Sequence, residues 1–240
     1  MRVRHGFALL ALSLCALAAI PLAGARMQLA RTAPRQTFPA AGDLLVPRLA
    51  VRAAPSRTAR VLRTLGQFRL DFRFRVVLAL REATAKDGSR WLELSLPGRP
   101  NGGRGWVPAA TLQVHRVLNR IIVRRSGRVL ELRRIADGRL LLRAPVAVGK
   151  PGAETPLGHD FYVQWRFVPT DPFYGSYALE TSAYSRLSDW PGGGVVGIHG
   201  TDEPQLIGGA VSHGCIRMLN RDVVRLRRLA PLGTPIDIVT

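Results

Sequence analysis

The chain has 240 residues and carries 35 Lys and Arg against 16 Asp and Glu, a formal net charge of +19. Its lysines are only Lys86 and Lys150. The charge is therefore typical of an arginine-biased composition rather than of a surface tuned to nucleic acid, and we expect no nucleic-acid partner. The length exceeds that of a typical single small domain, which favours two domains of modest size.

The N-terminus has the pattern of an export signal. A basic start over residues 1–5 is followed by an apolar run over residues 7–20 and by the small residues of an A-x-A cleavage site ending at Ala25. The apolar run is shorter than the roughly 20 residues that a membrane-spanning helix needs. We predict a signal peptide over residues 1–25 and export to the periplasm or cell wall, with a retained N-terminal anchor as the alternative.

Cleavage would remove Cys15 and leave Cys215 as the single cysteine, so the mature chain could form no internal disulfide. A lone thiol in an oxidising compartment is either a small buried apolar residue or a reactive group. Loss of Arg2 and Arg4 would leave a mature charge of +17. Such a protein meets anionic cell-wall polymers and lipid headgroups, which are therefore possible partners.

Residues 26–42 lack an apolar period and are predicted to be a flexible linker. Short β-prone runs then alternate with turn signals, which is typical of a small barrel. The predicted strands are 44–51, 61–65, 72–80, 91–96 and 106–107. This stretch resembles a bacterial SH3-like domain through VRAAPS at 51–56, DGSRWL at 87–92 and GWVP at 105–108. The resemblance implies an SH3-like domain over residues 43–115, with Trp91 and Trp106 in its core or groove.

Residues 116–240 are predicted to form a second, β-rich domain with little helix. Its expected strands are 121–124, 129–132, 140–143, 146–148, 161–168 and 195–199. A short helix should begin where Asn220 can cap a segment with Val223, Val224, Leu226 and Leu229 on one side. The fold class is therefore mainly β, with a small barrel followed by a β-rich domain and a short C-terminal helix.

A thiol becomes a nucleophile when a nearby base favours its thiolate. His199 ends an apolar run and could point across at Cys215 from a strand, whereas His213 is tied to the turn just before the cysteine. We therefore expect His199 to be the general base and acid. Gly200 and Gly214 let backbone approach closely. The amides of Gly214 and Cys215 are candidates for an oxyanion hole, and a carbonyl near Gly200 for orienting the imidazole.

At these residues the chain resembles the YkuD-type L,D-transpeptidases. The likeness rests on IHGT at 198–201 and, after twelve residues that follow His199, on SHGCIRM at 212–218. Further similarity lies in VGKP at 148–151, TPLG at 155–158, YAL at 177–179 and the residues Asn220 and Asp222. The likeness covers about residues 117–240, which would be the catalytic domain, and TPLG is expected to be architectural.

The resemblance implies that Cys215 attacks the L-centre carbonyl of a peptidoglycan tetrapeptide stem, expels D-alanine and forms a thioester that an acceptor amine resolves. His199 would take and return the proton, and no cofactor would be needed. Ser212, His213 and Gly214 would shape the loop. Arg217 would order the loop or bind a substrate carboxylate, with an ion pair to Asp222 as an equal alternative.

Other functions remain open at this point. The same site could act as an L,D-carboxypeptidase or anchor proteins to peptidoglycan, and a non-catalytic wall-binding protein would make Cys215 incidental. A zinc site of His199, His213 and Cys215 lacks a suitably placed carboxylate and fixed ligand spacing, so we expect no metal. A papain-like protease would have its cysteine before its histidine. Tyr162, Trp165 and Tyr174 could line a groove but are more typical of a core, and His115 and His159 are expected to have no chemical role.

Overall fold

The computed structural model describes residues 37–189 and 191–240. The predicted signal peptide, Cys15 and most of the predicted linker lie outside the described residues. Within the described part, strands dominate and the α-helical content is one short helix, which confirms the predicted mainly β class. No helix in these two ranges is both long and apolar enough to cross a bilayer.

The first seven strands form one sheet. They are β1 (Ala40–Leu44), β2 (Arg48–Arg52), β3 (Val61–Gly66), β4 (Val76–Thr84), β5 (Arg90–Ser95), β6 (Arg104–Pro108) and β7 (Leu112–Arg116). Their order in the sheet is β3-β2-β6-β5-β4-β1-β7. Alternating apolar residues from most of these strands make its core, with Val77, Leu94 and Val107 fully buried. The assignment of this sheet to the SH3-like family stays a prediction.

The structure differs from the prediction at the start of this sheet. Residues 40–42, predicted to be linker, lie in β1, which pairs with β4 on one side and β7 on the other. The predicted strand over 44–51 is two strands because the chain turns at residues 45–47. Because β propensity is continuous over residues 44–51, propensity alone predicts one strand. The turn arises because the segments before and after it pair with different neighbouring strands.

Residues 67–75 form a small hairpin instead of the start of the predicted strand 72–80. Arg69 N–H donates to Arg73 O at 2.8 Å, and Phe68 pairs with Phe74 across the hairpin. Phe72 at its tip has a φ of 61°, a left-handed conformation incompatible with a strand. The side chains of Leu70 and Phe72 are exposed, whereas Arg69 is half-buried against the second sheet.

The second sheet follows directly. Its strands are β8 (Asn119–Arg124), β9 (Val129–Arg134), β10 (Leu140–Gly149), β11 (Gly158–Phe167), β12 (Ala178–Tyr184), β13 (Val195–His199), β14 (Ala210–Ser212), β15 (Ile216–Met218) and β16 (Pro235–Val239). The order is β14-β10-β15-β13-β12-β11-β16-β8-β9, and β9 also pairs with β10. The pairings thus close into a ring around a core that includes Leu132, Val146, Leu179 and Ile216.

β10 explains how the ring closes. The sequence predicts two strands over 140–143 and 146–148, but they are one strand that changes partner along its length. Its first half pairs with β9, and its second half pairs with β15.

The helix α1 (Asn220–Leu229) packs Val223 and Leu226 into the same core. The predicted capping role of Asn220 is wrong. The N-cap residue is Leu219, and no side chain caps the helix. The Asn220 side chain is committed elsewhere, because its Oδ1 accepts from Ser176 N–H and Thr201 N–H and its Nδ2 donates to Thr201 O.

Polar contacts join the two sheets. Arg69 pairs with Glu180 at 2.7 Å, and Arg104 pairs with Asp160 at 2.9 Å. Asn101 both donates to Tyr184 O and accepts from Tyr184 N–H. These contacts hold the 67–75 hairpin and the loop around Asn101 against β11 and β12.

Candidate active site

The cysteine loop, residues 213–215, connects β14 to β15 and lies at the edge of the central strand β13. β13 and β15 run parallel, with Ile198 opposite Ile216 and His199 opposite Arg217. The order of strands therefore brings His199 and Cys215 together although 15 residues separate them. A small cavity of about 20 Å³ over the thiol is lined by Phe173, Tyr174, His199, Ser212, His213, Cys215 and Arg217.

Ser212 ties the cysteine loop together. Its buried Oγ accepts a hydrogen bond from Gly214 N–H at 3.2 Å and donates to Cys215 O at 2.6 Å. Gly214 has a φ of 117°, and a Cβ there would lie 2.7 Å from Ser185 Cβ. Only glycine fits this position without strain. These contacts support the loop-shaping role predicted for Ser212 and Gly214.

Thr155 lies between β10 and β11 and anchors the cysteine loop. Its side chain is fully buried, and Oγ1 accepts from Gly149 N–H and donates to Gly214 O, both at 2.9 Å. The sequence marks TPLG at 155–158 only as architectural. The structure adds that Thr155 fixes the peptide unit immediately before Cys215.

The thiol and the imidazole face the same space above Gly197. Gly197 N–H donates to Cys215 Sγ at 3.3 Å. A methyl group on Gly197 would lie 3.7 Å from His199 Cδ2 and 3.8 Å from Cys215 Sγ. The imidazole thus borders the space with Cδ2, the carbon next to Nε2. His199 Nδ1 lies 2.6 Å from Gly200 O, and a carbonyl can only accept, so Nδ1 carries the hydrogen and Nε2 is the basic nitrogen.

The predicted oxyanion pair needs correction. Gly214 N–H already donates to Ser212 Oγ, so it is not available to an oxyanion in this arrangement. Cys215 N–H is the remaining member of the predicted pair.

Glycine is required at position 200 because it packs against the Asn220 amide, and not because of oxyanion binding. A Cβ at Gly200 would lie 2.1 Å from Asn220 Oδ1 and 3.0 Å from Ser176 N. The Asn220 amide thus holds the chain just after His199 against the start of α1. Gly200 keeps room for that amide and, through its carbonyl, orients the imidazole.

Arg217 is buried and does not pair with Asp222. Its Nη1 donates to Glu203 Oε2 at 2.9 Å, and its guanidinium stacks over Phe173 at 4.4 Å. Asp222 lies in the first turn of α1, where a carboxylate interacts favourably with the helix dipole. Arg217 therefore forms an ion pair, as one of the two alternatives predicted, but its partner is Glu203 and not Asp222.

Phe173 is a site residue that the sequence did not single out, and Tyr174, named from the sequence as a possible groove residue but expected in a core, lies at the site beside it. Asp171 Oδ1 accepts from Phe173 N–H and so starts the 3₁₀ turn Pro172–Tyr174. The Tyr174 ring meets the His199 ring edge to face at 5.0 Å between centroids. The Asp-Pro-aromatic run, a capping residue before proline, was the available signal.

Burial sets the protonation of the pair. Burial raises the pKa of the Cys215 thiol above its usual range, although Gly197 N–H and Arg217 oppose the shift. Burial also lowers the pKa of His199 to about 4, against a smaller opposite effect of Gly200 O. At neutral pH the resting pair is therefore a neutral thiol beside a neutral imidazole. Burial and the positive charges of Lys150 and Arg217 lower the pKa of His213 as well.

The lowered pKa of His199 predicts an acid-sensitive fold. The unfolded chain binds a proton at this residue from about pH 6.5 downward and the folded one only near pH 4, so stability falls with pH across that window and no further below it. At full effect the loss is about 3 kcal/mol. The expected result is that urea unfolding at pH 7 and pH 4.5 shows a smaller decline in His199→Gln than in the unaltered protein. An equal decline in both would contradict it.

The remaining predicted residues lie away from this site. Trp91 and Trp106 are buried in the first sheet, as expected. His115 lies 2.7 Å from Asp43, and the largely exposed His159 lies 3.4 Å from Asp237. Tyr162 is buried in the second sheet, and Arg73 stacks over Trp165 at 4.2 Å. Within residues 37–189 and 191–240, no three His, Cys, Asp or Glu side chains are grouped to hold a metal ion.

Comparison with known proteins identifies a family that this chain matches. The family model described as the L,D-transpeptidase catalytic domain, YkuD, matches residues 118–238. The protein named "Putative L,D-transpeptidase YkuD" in Bacillus licheniformis is 42% identical over 119 residues, which are 50% of this chain and 64% of that protein. Its namesake in Bacillus subtilis is 39% identical over 102 residues, 42% of this chain and 56% of that protein. The matches thus span less than two thirds of either relative.

A solved L,D-transpeptidase from Mycobacterium smegmatis is 15% identical, with 69% of this chain and 91% of that chain covered and a TM-score of 0.44. The family match takes in the second sheet from β8 almost to the end of β16, and with it β13, the cysteine loop and α1. Over this half of its length, the chain belongs to the YkuD family of L,D-transpeptidase catalytic domains.

Proposed function

We propose that this protein forms peptidoglycan cross-links by cysteine acyl transfer, with Cys215 as the nucleophile and His199 as the residue that takes and returns the proton. The observation that carries the proposal is the arrangement over Gly197. The sulfur and the imidazole carbon Cδ2 border one space, and Nδ1 is held by Gly200 O. With its hydrogen on Nδ1, the imidazole has Nε2 as the basic nitrogen that a general base beside a thiol needs.

In the first half-reaction, His199 Nε2 takes the Sγ proton as the sulfur bonds to the L-centre carbonyl carbon of a tetrapeptide stem. The Cys215 N–H donates to the oxyanion that forms. The intermediate collapses when the imidazolium gives its proton to the amine of the terminal D-alanine, which leaves. A thioester on Cys215 remains.

In the second half-reaction, an acceptor amine attacks the thioester carbonyl and passes a proton to His199. The Cys215 sulfur leaves and recovers that proton, so both groups return to their neutral resting forms. Atoms and charges balance without a cofactor. Because the thiol is neutral at rest, its proton must move during attack, which makes the His199 base essential to the rate.

Peptidoglycan stems lie outside the cytoplasm, so this function requires export, as the predicted signal peptide over residues 1–25 provides. The excess of basic residues favours association with anionic wall polymers. We also propose residues 43–115 as a separate SH3-like domain that precedes the catalytic domain over 116–240.

The test is a mass measurement on the purified protein with a defined disaccharide-tetrapeptide. We expect a single tripeptide acyl adduct on Cys215, absent in Cys215→Ala, and a cross-linked dimer that has lost one D-alanine. A carbapenem should likewise add once, at Cys215. Release of free tripeptide without dimer would identify a carboxypeptidase instead.

A further inference from the structure

The 67–75 hairpin presents its apolar side chains to solvent and its charged ones to the protein. Apolar residues occupy its even positions and charged residues its odd ones, in the order Phe68, Arg69, Leu70, Asp71, Phe72, Arg73, Phe74 and Arg75. All four apolar residues are exposed, Leu70 completely and Phe72 to 87%. In a half-buried antiparallel pair, the apolar face normally lies on the core. The orientation of this hairpin is therefore inverted.

The charged residues fix the hairpin on the body of the protein. Arg69 pairs with Glu180 at 2.7 Å. The Arg73 guanidinium lies 4.2 Å from the centre of the Trp165 ring, and Arg75 Nε donates to a backbone carbonyl at the base of the hairpin at 2.9 Å. Because the hairpin is already held in place, a partner that binds its outer face has little conformational entropy to remove.

Phe72 has a backbone conformation that favours glycine. Its φ is 61°, and it is the last residue of the three-residue loop between the paired Arg69 and Arg73. The left-handed conformation is strained for a bulky residue. With Phe72 87% exposed, its ring gains almost no packing from the described residues to offset that strain. An aromatic ring in this place therefore points to a contact outside the chain.

The size of the apolar face favours a lipid surface over a second protein chain. A phenylalanine side chain offers about 150–250 Å², so the four exposed side chains together present on the order of 500 Å². Apolar patches of that size on monomers are often functional. A stable protein interface, however, needs about 800 Å² from each partner. Insertion into lipid has no such minimum, because acyl chains surround each side chain that enters.

The charge at the hairpin suits a lipid surface that is anionic. The hairpin has three arginines and one aspartate, and the whole chain carries a formal charge of +19. At the base of the hairpin, the exposed Arg48 lies opposite Gly66 in the register of β2 and β3. Arg48 makes no ion pair with any of the described residues. Apolar side chains flanked by arginine are typical of segments that lie in the interface of anionic membranes.

We propose that the 67–75 hairpin inserts its apolar tip into the headgroup region of an anionic membrane and so binds the folded protein to that surface. Leu70 and Phe72 at the tip enter deepest. The rings of Phe68 and Phe74, with centroids 4.7 Å apart, follow behind them, and the arginines contact lipid phosphates. This surface is separate from the cysteine site, and its role does not depend on the proposed acyl transfer.

The first test is partitioning of the full chain onto sedimented vesicles of phosphatidylglycerol and phosphatidylcholine, compared with phosphatidylcholine alone. We expect Phe72→Ser to lower the partition coefficient on the anionic vesicles about tenfold, and Leu70→Ser with Phe72→Ser about tenfold further, since burial of one such side chain contributes on that scale. Binding to phosphatidylcholine alone should be weaker and less sensitive to salt. Since residues 1–36 are common to the protein and its variants, the comparison isolates the hairpin.

Leu140→Ser is the matched control. Leu140 is an exposed leucine at the start of β10, outside the hairpin, and its loss should leave the partition coefficient unchanged. Near-ultraviolet circular dichroism should show the same fold in every variant. The readout needs no substrate, so failure of this inference and failure of the proposed function are separate results.

The second test reports the position of the tip itself. In Phe72→Trp, the fluorescence of the added indole should shift to the blue on anionic vesicles and be quenched by lipids with brominated acyl chains, whereas Leu140→Trp should show neither effect. No shift in Phe72→Trp, or equal partitioning of the protein and Phe72→Ser, overturns the assignment. The assignment is also overturned if Phe72→Ser abolishes a dimer in sedimentation velocity, or weakens binding to isolated cell wall, while vesicle binding is unchanged. The hairpin would then bind a second copy of the chain or the wall.

Discussion

Substitution of His199 by glutamine is expected to slow acylation of Cys215 by roughly 10²–10⁴-fold, the usual contribution of a positioned general base. The thiol pKa is raised by burial, so little thiolate exists near neutral pH to react without the base. Glutamine is neutral, as His199 is at rest, and can keep a donor toward Gly200 O. The measurement is the rate of adduct formation with a carbapenem, followed by intact mass.

His213→Gln is the matched control for this experiment. His213 lines the same small cavity and is of the same residue type, but it precedes the nucleophile in the loop instead of facing it from β13. We expect a much smaller loss of rate, together with some loss of stability. A larger fall in His213→Gln than in His199→Gln would reverse the assignment of the base.

Thr155→Val is expected to destabilise the fold and slow acylation together. The change keeps the shape of the side chain but leaves the buried Gly149 N–H and Gly214 O without their partner. Each buried unpaired group costs about 1–3 kcal/mol, so with two such groups the free energy of unfolding should fall by about 2–6 kcal/mol. Because Gly214 directly precedes Cys215, acylation of the remaining folded protein should also slow. Urea unfolding and adduct formation measure the two effects.

Thr234→Val is the control, since Thr234 is as deeply buried and its hydrogen bonds go to Pro231 and Val163 instead of the cysteine loop. Its Oγ1 donates to Pro231 O, which also accepts from Thr234 N–H, so its loss leaves that oxygen bonded. A cost of about 1 kcal/mol and an unchanged acylation rate are expected. If Thr155→Val acylated as fast as the unaltered protein, the loop anchor would have no part in placing the nucleophile.

The sequence was most informative where the pattern is local. Alternating apolar runs predicted most of the strands, and the position of His199 at the end of an apolar run placed it on β13 beside the cysteine loop. The need for glycine at position 214 was also predictable, because a tight loop before a nucleophile leaves no room for a Cβ.

What could not be predicted depends on contacts between distant segments. The ion pair kept as an alternative for Arg217 had its partner five residues away, but the fold brings Glu203 within 2.9 Å. Thr155 reaches Gly214 across 59 residues, and no spacing in the sequence indicates that bond. The merging of two predicted strands into β10 depends on two partners that only the closed sheet provides. Local β propensity carries no information about which distant strands pair.

The most direct test of the central claim is the intact mass of the full protein after incubation with a defined disaccharide-tetrapeptide. The account predicts one added tripeptide acyl group on Cys215 in the unaltered protein and none in Cys215→Ala, with a dimer lacking one D-alanine in solution. No adduct and no dimer from folded protein with Cys215 and His199 intact would contradict it.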